Sequence, residues 1–138
     1  IRAVRLTAPL HVDGKLDEAV YATVPPASDF VQLEPTPNVP ATEKTEVWVL
    51  YDADNIYVVF RCWETHPERL VANDMRRDNP LSYTSNDSVG FVLDTFNDRR
   101  NGVLFTLNAM SGRNDGQVTN ERQYNGDWNP VYEASASR

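Results

Sequence analysis

The chain has one cysteine, Cys62, so it can form no intrachain disulfide and no cysteine-based zinc site. It has no apolar run near the roughly 20 residues that a membrane-spanning helix needs. Positive charge is also scarce. Thirteen Lys and Arg stand against twenty Asp and Glu, a net charge of −7, and binding to a phosphate backbone depends on the opposite balance. Nucleic acid is therefore not an expected partner, and direct insertion of this domain into a membrane is not expected either. Catalytic signatures are missing too: no Ser sits in a G-x-S-x-G elbow and there is no H-E-x-x-H. Carboxylates such as Glu64, Glu68, Asp78 and Asp87 are plentiful. A hydrolytic pair, however, is defined by placement in space, not by spacing along the chain. The expectation is a noncatalytic domain.

What is present is alternation. Thr45–Glu64, TEVWVLYDADNIYVVFRCWE, is two period-2 runs around a polar turn, the pattern of a β-hairpin. Asp13-Gly14, Asn101-Gly102, Asp115-Gly116 and Asn125-Gly126 are dipeptides that supply positive φ at little cost and favour tight turns. Strands are expected near 2–6, 29–33, 45–52, 55–64, 88–95, 103–110, 113–119 and 130–136, with short helices near 17–22 and 67–70. Pro35, Pro37 and Pro40 should keep 27–42 an extended loop. Such spacing predicts an all-β fold, an antiparallel β-sandwich with jelly-roll or immunoglobulin-like layering and one or two short helices. At 138 residues a single domain over 1–138 can bury roughly 68–70% of its unfolded surface without a metal or disulfide. The chain opens on IRAVRL without a starting Met, so the absence of a leader is uninformative. A strand expected at 131–136, ending at Arg138, suggests the N-terminal part of a longer protein.

Side chains alternate across a strand, which lets the faces be assigned. Ile56, Val58, Phe60 and Cys62 form one apolar face, expected to be core, with Cys62 a buried apolar thiol. The opposite surface carries Tyr57, Arg61 and Trp63, and on other strands Gly90, Thr106 and Asn108. Flat rings beside amide and guanidinium donors suit a sugar, whose C–H faces stack on rings and whose hydroxyls both donate and accept. Asp52-Ala53-Asp54-Asn55 starts like a calcium loop but lacks its sixth-position Gly and twelfth-position Glu, so a polar turn is expected. Asp94, Asn97 and Asp98, ahead of Arg99 and Arg100, are read as a charged loop. Met75, Met110, His11 and His66 have haem-ligating side chains, but there is no C-x-x-C-H.

Three motifs carry a family resemblance. Val12-Asp13-Gly14-Lys15-Leu16-Asp17-Glu18, with Tyr21 after it, resembles the DGxLDExxW opening of carbohydrate-binding module family 9. Leu50-Tyr51-Asp52-Ala53-Asp54-Asn55-Ile56-Tyr57-Val58 resembles its YDxxxLYV hairpin. Asn86-Asp87-Ser88-Val89-Gly90-Phe91-Val92-Leu93-Asp94 resembles its DSVEIFID strand. They occur in the family's order over roughly 10–110. Met75–Asp78, Leu93–Phe96, Asp98–Arg100, Leu104–Ala109 and Trp128–Ala134 are similar to a bacterial subgroup. In that subgroup the module precedes a β-rich region of unknown function, predicted to be an outer-membrane barrel.

The resemblance implies a glycan-binding module of the periplasm, outer membrane or cell surface of a Gram-negative bacterium. It also implies a partner in a C-terminal β-barrel region of the same polypeptide. Family relatives are attached to glycoside hydrolases and often carry structural calcium, so calcium is the one cofactor it suggests. Carried onto this chain, Trp63 or Tyr83 would stack on the sugar, and Arg61 and Asn108 would bond its hydroxyls. Trp128 would close the edge, and Asp87 would position the loop entering its strand. The family's clamp aromatic and Glu fall at Thr84 and Gly90, and its Arg at Thr106. Tyr83, one position away, is the candidate replacement for the clamp. The alternative is an interaction or plug domain of the barrel, with no sugar ligand.

Overall fold

A computed structural model describes residues 1–79 and 85–138. The fold is all-β with two sheets and very little helix, as the β-sandwich class requires. The chain divides into two compact units. One comprises 1–11 and 16–68, the other 12–15 and 69–138.

The first unit holds β1 (Ala3–Arg5), α1 (Val20–Thr23), β2 (Thr45–Tyr51), β3 (Ile56–Cys62) and a 3-10 turn at Pro67–Arg69. Its sheet has the order β1-β2-β3, with β1 parallel and β3 antiparallel to β2. The hairpin register is set by its turn. Asp52 accepts the backbone N–H groups of Asp54 and Asn55 at 2.8 Å and the Tyr57 hydroxyl at 2.7 Å, an Asx turn that fixes Tyr51 opposite Ile56. Those donors, the Asp54 N–H first, hold the Asp52 carboxyl below its ordinary pKa. As the central strand, β2 has Val47, Trp48 and Leu50 all buried, on both faces. Trp48 is pinned from α1: its Nε1 donates to the Val24 carbonyl at 2.8 Å, and Tyr21 meets its ring edge-on at 5.4 Å.

The second unit holds β4 (Ser88–Leu93), β5 (Gly102–Asn108), β6 (Arg113–Thr119) and β7 (Gln123–Asn125), an antiparallel meander in sequence order. Phe91, Phe105 and Asp115 are cross-strand neighbours on one face. Trp128 and Tyr132, from the irregular segment after β7, bring ring edges to Phe105 at 5.8 and 5.0 Å. On the other face the Tyr124 ring lies over Gly116, where a Cβ would run into it.

Several sequence expectations are corrected. The expected strand at 29–33 is a loop holding two isolated bridges, Ala27 to Val47 and Val31 to Pro40. Residues 130–136 form no strand and are held by side chains instead: Ala136 N–H donates to Ser111 Oγ at 2.9 Å and Ser137 Oγ to the Gly14 carbonyl at 2.6 Å. Asp115-Gly116 is no turn. It lies in the middle of β6, where Gly116 makes room for Tyr124. The turn between β5 and β6 is at Ala109–Gly112, with Ser111 at φ 63°. The face of Ile56 and Cys62 is not the deepest core. Ile56 is 64% exposed and Cys62, last in β3, is exposed, while Trp48 and Leu50 on the opposite face are the buried pair. The Cys62 thiol is nonetheless pushed up in pKa by partial burial, which disfavours the reactive thiolate.

Candidate functional site

The register of the β2–β3 hairpin determines which side chains meet at its open end. Glu46 is paired with Arg61, and Trp63 N–H donates to the Lys44 carbonyl at 2.9 Å. Lys44, Glu46 and Trp48 alternate on the same face as Trp63 and Arg61. Glu46 is the hub. Lys44 Nζ reaches its Oε1 at 2.6 Å and Arg61 Nη1 its Oε2 at 3.5 Å. The Lys44 hydrogen bond, reinforced by both positive charges and opposed by desolvation, holds the Glu46 carboxyl below its ordinary pKa.

The rings complete the patch. The Arg61 guanidinium lies over Trp48, 5.1 Å from its centroid, and Lys44 Nζ lies 5.7 Å from the centroid of Trp63. Trp48 is sealed, but Trp63 is 49% exposed. A half-open indole thus stands beside an ammonium, a guanidinium and a carboxylate whose positions are fixed by one another. Such a surface can stack on an apolar ligand face and exchange hydrogen bonds with hydroxyls that both donate and accept.

The other expected site residues are placed differently. Asp87 is exposed, and its Oδ2 accepts the Val71 N–H at 2.7 Å while its own N–H donates to the Val71 carbonyl at 2.8 Å. It ties residue 71 to the entrance of β4. Asn108 is 3% exposed. Its Oδ1 accepts the Met110 and Gly112 N–H groups at 2.9 and 2.8 Å, and its Nδ2 donates to the Asp74 carbonyl at 2.6 Å. Its amide therefore holds the β5–β6 turn. Trp128 is half-buried against Phe105. Tyr83 lies outside the described residues. The structure thus brings Arg61 and Trp63 together in one unit, while Asp87, Asn108 and Trp128 serve separate local contacts in the other.

Sequence reasoning missed Lys44 and Glu46. The signal was available: the Asp52–Asn55 turn sets Tyr51 opposite Ile56, and counting outward puts Glu46 opposite Arg61. It also missed a cluster in the second unit. Asp115, 0% exposed, accepts at Oδ1 from Arg77 Nη2 and from the Tyr132 hydroxyl, both at 3.0 Å. Arg113 donates to the Tyr132 carbonyl at 3.0 Å, with its guanidinium 5.0 Å from that ring's centroid. Burial first, then the Asp115 bond and charge, raise the Tyr132 pKa. For Arg77, burial works to lower the pKa, and the Asp115 hydrogen bond and charge outweigh it. The bonds of this cluster join positions 17 to 38 residues apart, which no local pattern encodes.

Among the described residues, no group of three or more His, Cys, Asp or Glu side chains is placed to hold a metal ion, and no helix is long and apolar enough to cross a membrane. The carboxylates of the Asp94–Asn101 loop are turned inward: Asp94 accepts from Asp98 and Arg99 N–H, and Asp98 from Arg100 and Asn101 N–H. Compared with protein-family models, with characterised proteins and with solved structures, the chain has no match.

Proposed function

We propose that this chain is a noncatalytic carbohydrate-binding-like module of a cell-envelope protein, serving glycan recognition in the periplasm or at the outer surface. The observation that carries this reading is the half-exposed Trp63 ring beside Lys44, Glu46 and Arg61. A pyranose would stack on the indole, and its hydroxyls would bond the charged trio. The resemblance of three ordered motifs to family 9 modules supports the same class. It also supports attachment to a C-terminal β-barrel region.

A second reading, an interaction or plug domain of the barrel, draws on other residues. Val92, Phe96 and Tyr124 in the second unit are large apolar side chains left more than half exposed, and such groups suit a protein partner.

A glycan array followed by titration calorimetry tests the first reading. Trp63→Ala should weaken binding of the best glycan by about fivefold or more, taking the roughly 1–3 kcal/mol that a nucleobase gains by stacking on an aromatic ring as the scale. Trp63→Phe should retain part of it. An array without hits, or binding indifferent to Trp63, overturns the sugar assignment and leaves the interaction reading.

A further inference from the structure

The other end of β2 carries a second feature, independent of the Trp63 patch. Strand β1 is an edge of its sheet, and its ladder to β2 is parallel. Leu6 N–H donates to the Tyr51 carbonyl at 2.7 Å, so residues of even number turn their backbone groups toward β2. Backbone direction alternates along a strand, so Ala3 and Arg5 turn their N–H and C=O groups outward. Among the described residues these groups have no loop partner. An edge of this kind is a template for another strand.

Beside this edge runs an open groove of about 740 Å³, within the size range of ligand sites. Its walls are β1, residues 23–27 and the middle of β2. Most of the lining is apolar, with Val4, Pro25, Pro26 and Val49 representative. The only charged residues in it are Arg2 and Arg5. Neither guanidinium makes a hydrogen bond or ion pair among the described residues, and both side chains are exposed. In a chain of net charge −7, a groove with two unneutralised guanidinium groups and no carboxylate is a local inversion of sign. Arg is also the side chain best matched to bidentate capture of a carboxylate.

We propose that this groove binds an acidic peptide segment in extended conformation, added as a fourth strand on the free edge of β1. The outward groups of Ala3 and Arg5 would form the ladder, and carboxylates three positions apart, on opposite faces of the added strand, would meet Arg2 and Arg5. Apolar residues between them would lie on the Pro25–Pro26 wall. This is strand addition, in which the backbone supplies affinity and alternate side chains supply specificity. It does not depend on the sugar reading.

The test uses a fluorescent six-residue peptide, Val-Glu-Val-Val-Glu-Val, and its counterpart with Lys in place of Glu, titrated by anisotropy. The acidic peptide should bind at least tenfold more tightly than the basic one, and Arg2→Glu/Arg5→Glu should reverse the order. Both arginines are exposed and unpaired, so the variant should keep the wild-type circular dichroism. N-methylation of alternate peptide residues then separates strand pairing from charge attraction. One phase of methylation should cost about tenfold and the other little. If both methylated peptides bind like the parent, the ladder is wrong. If an oligouronide of equal charge competes as well as the peptide, the partner is an anionic glycan and the proposal falls. Equal binding of acidic and basic peptides would overturn it at the first step.

Discussion

Two clusters in this molecule join arginine, carboxylate and aromatic ring, and they differ in their access to water. In the first unit, Lys44 and Arg61 converge on Glu46 beside a Trp63 ring that is half open. In the second, Arg77 and Tyr132 converge on an Asp115 that solvent does not reach, with Arg113 and Phe105 around the same tyrosine. Both carboxylates are largely buried and the two arginines are equally exposed, so the difference lies in the other partners: Lys44 and Trp63 face water, whereas Tyr132 is half-buried. Charges in contact with water attract weakly and can exchange partners, whereas buried ones depend on every partner they have. The open cluster is suited to recognition and the closed one to holding the segment after β7 against its sheet.

The largest effect should come from breaking the closed cluster. Asp115→Ala leaves the Arg77 guanidinium and the Tyr132 hydroxyl without their shared acceptor. Removing one partner of a buried ionic network costs about 3 kcal/mol or more. Urea denaturation should show that loss as a lower midpoint. A change below about 1 kcal/mol would mean that water reaches Asp115 and that the contrast between the clusters is false. Tyr132→Phe is the milder version. It removes one hydrogen bond to Asp115 while keeping the ring on Phe105, and should cost about 1 kcal/mol. The same substitution should leave glycan binding unchanged if recognition belongs to the Trp63 patch.

The contrast also explains what could be read in advance. The strands β2 to β5 followed from alternation, because a half-buried strand writes its burial into every second residue. The Trp63–Arg61 pair was legible for the same reason, being two positions apart at the end of β3 and just beyond it. The strand expected at 130–136 was misread because Glu133 and Ser135 alternate with Tyr132, Ala134 and Ala136 as a strand would. That segment is instead fixed by Tyr132, Ala136 and Ser137 reaching distant partners. The short β7 was missed because Gln123–Asn125 contains no apolar alternation. Asn108 illustrates the limit for sites. Its type fits a sugar contact, but only the three-dimensional neighbours show that its amide serves Asp74, Met110 and Gly112. The Asp115 network was invisible because its members come from positions 77, 115 and 132.

The open cluster yields the next, smaller effect on stability. Trp63→Ala should lower the unfolding free energy by less than about 0.5 kcal/mol, as expected for a surface substitution away from the core, even while it weakens glycan binding about fivefold or more. That pairing of outcomes is the signature of a binding residue. A loss of stability comparable to that of Asp115→Ala would instead make Trp63 part of the core and erase the difference between the two units.

The smallest effect is in acid, and its sign follows from the Lys44 contact. The Glu46 carboxyl is held below its ordinary value of 4.5, first by the Lys44 hydrogen bond. A carboxyl whose folded pKa is depressed takes up its proton more readily in the unfolded chain. Its contribution to stability is therefore complete above that ordinary value and is lost as pH falls through the folded one. In Glu46→Gln this part of the acid sensitivity disappears. The melting temperatures of variant and wild type should thus differ at neutral pH and converge as pH falls below 4.5. High salt should shrink the neutral-pH difference, because Lys44 is exposed and its attraction is screened. A difference that persists unchanged in acid would mean that the Lys44–Glu46–Arg61 frame holds without the charge on Glu46, and that the open cluster is fixed by packing as the closed one is.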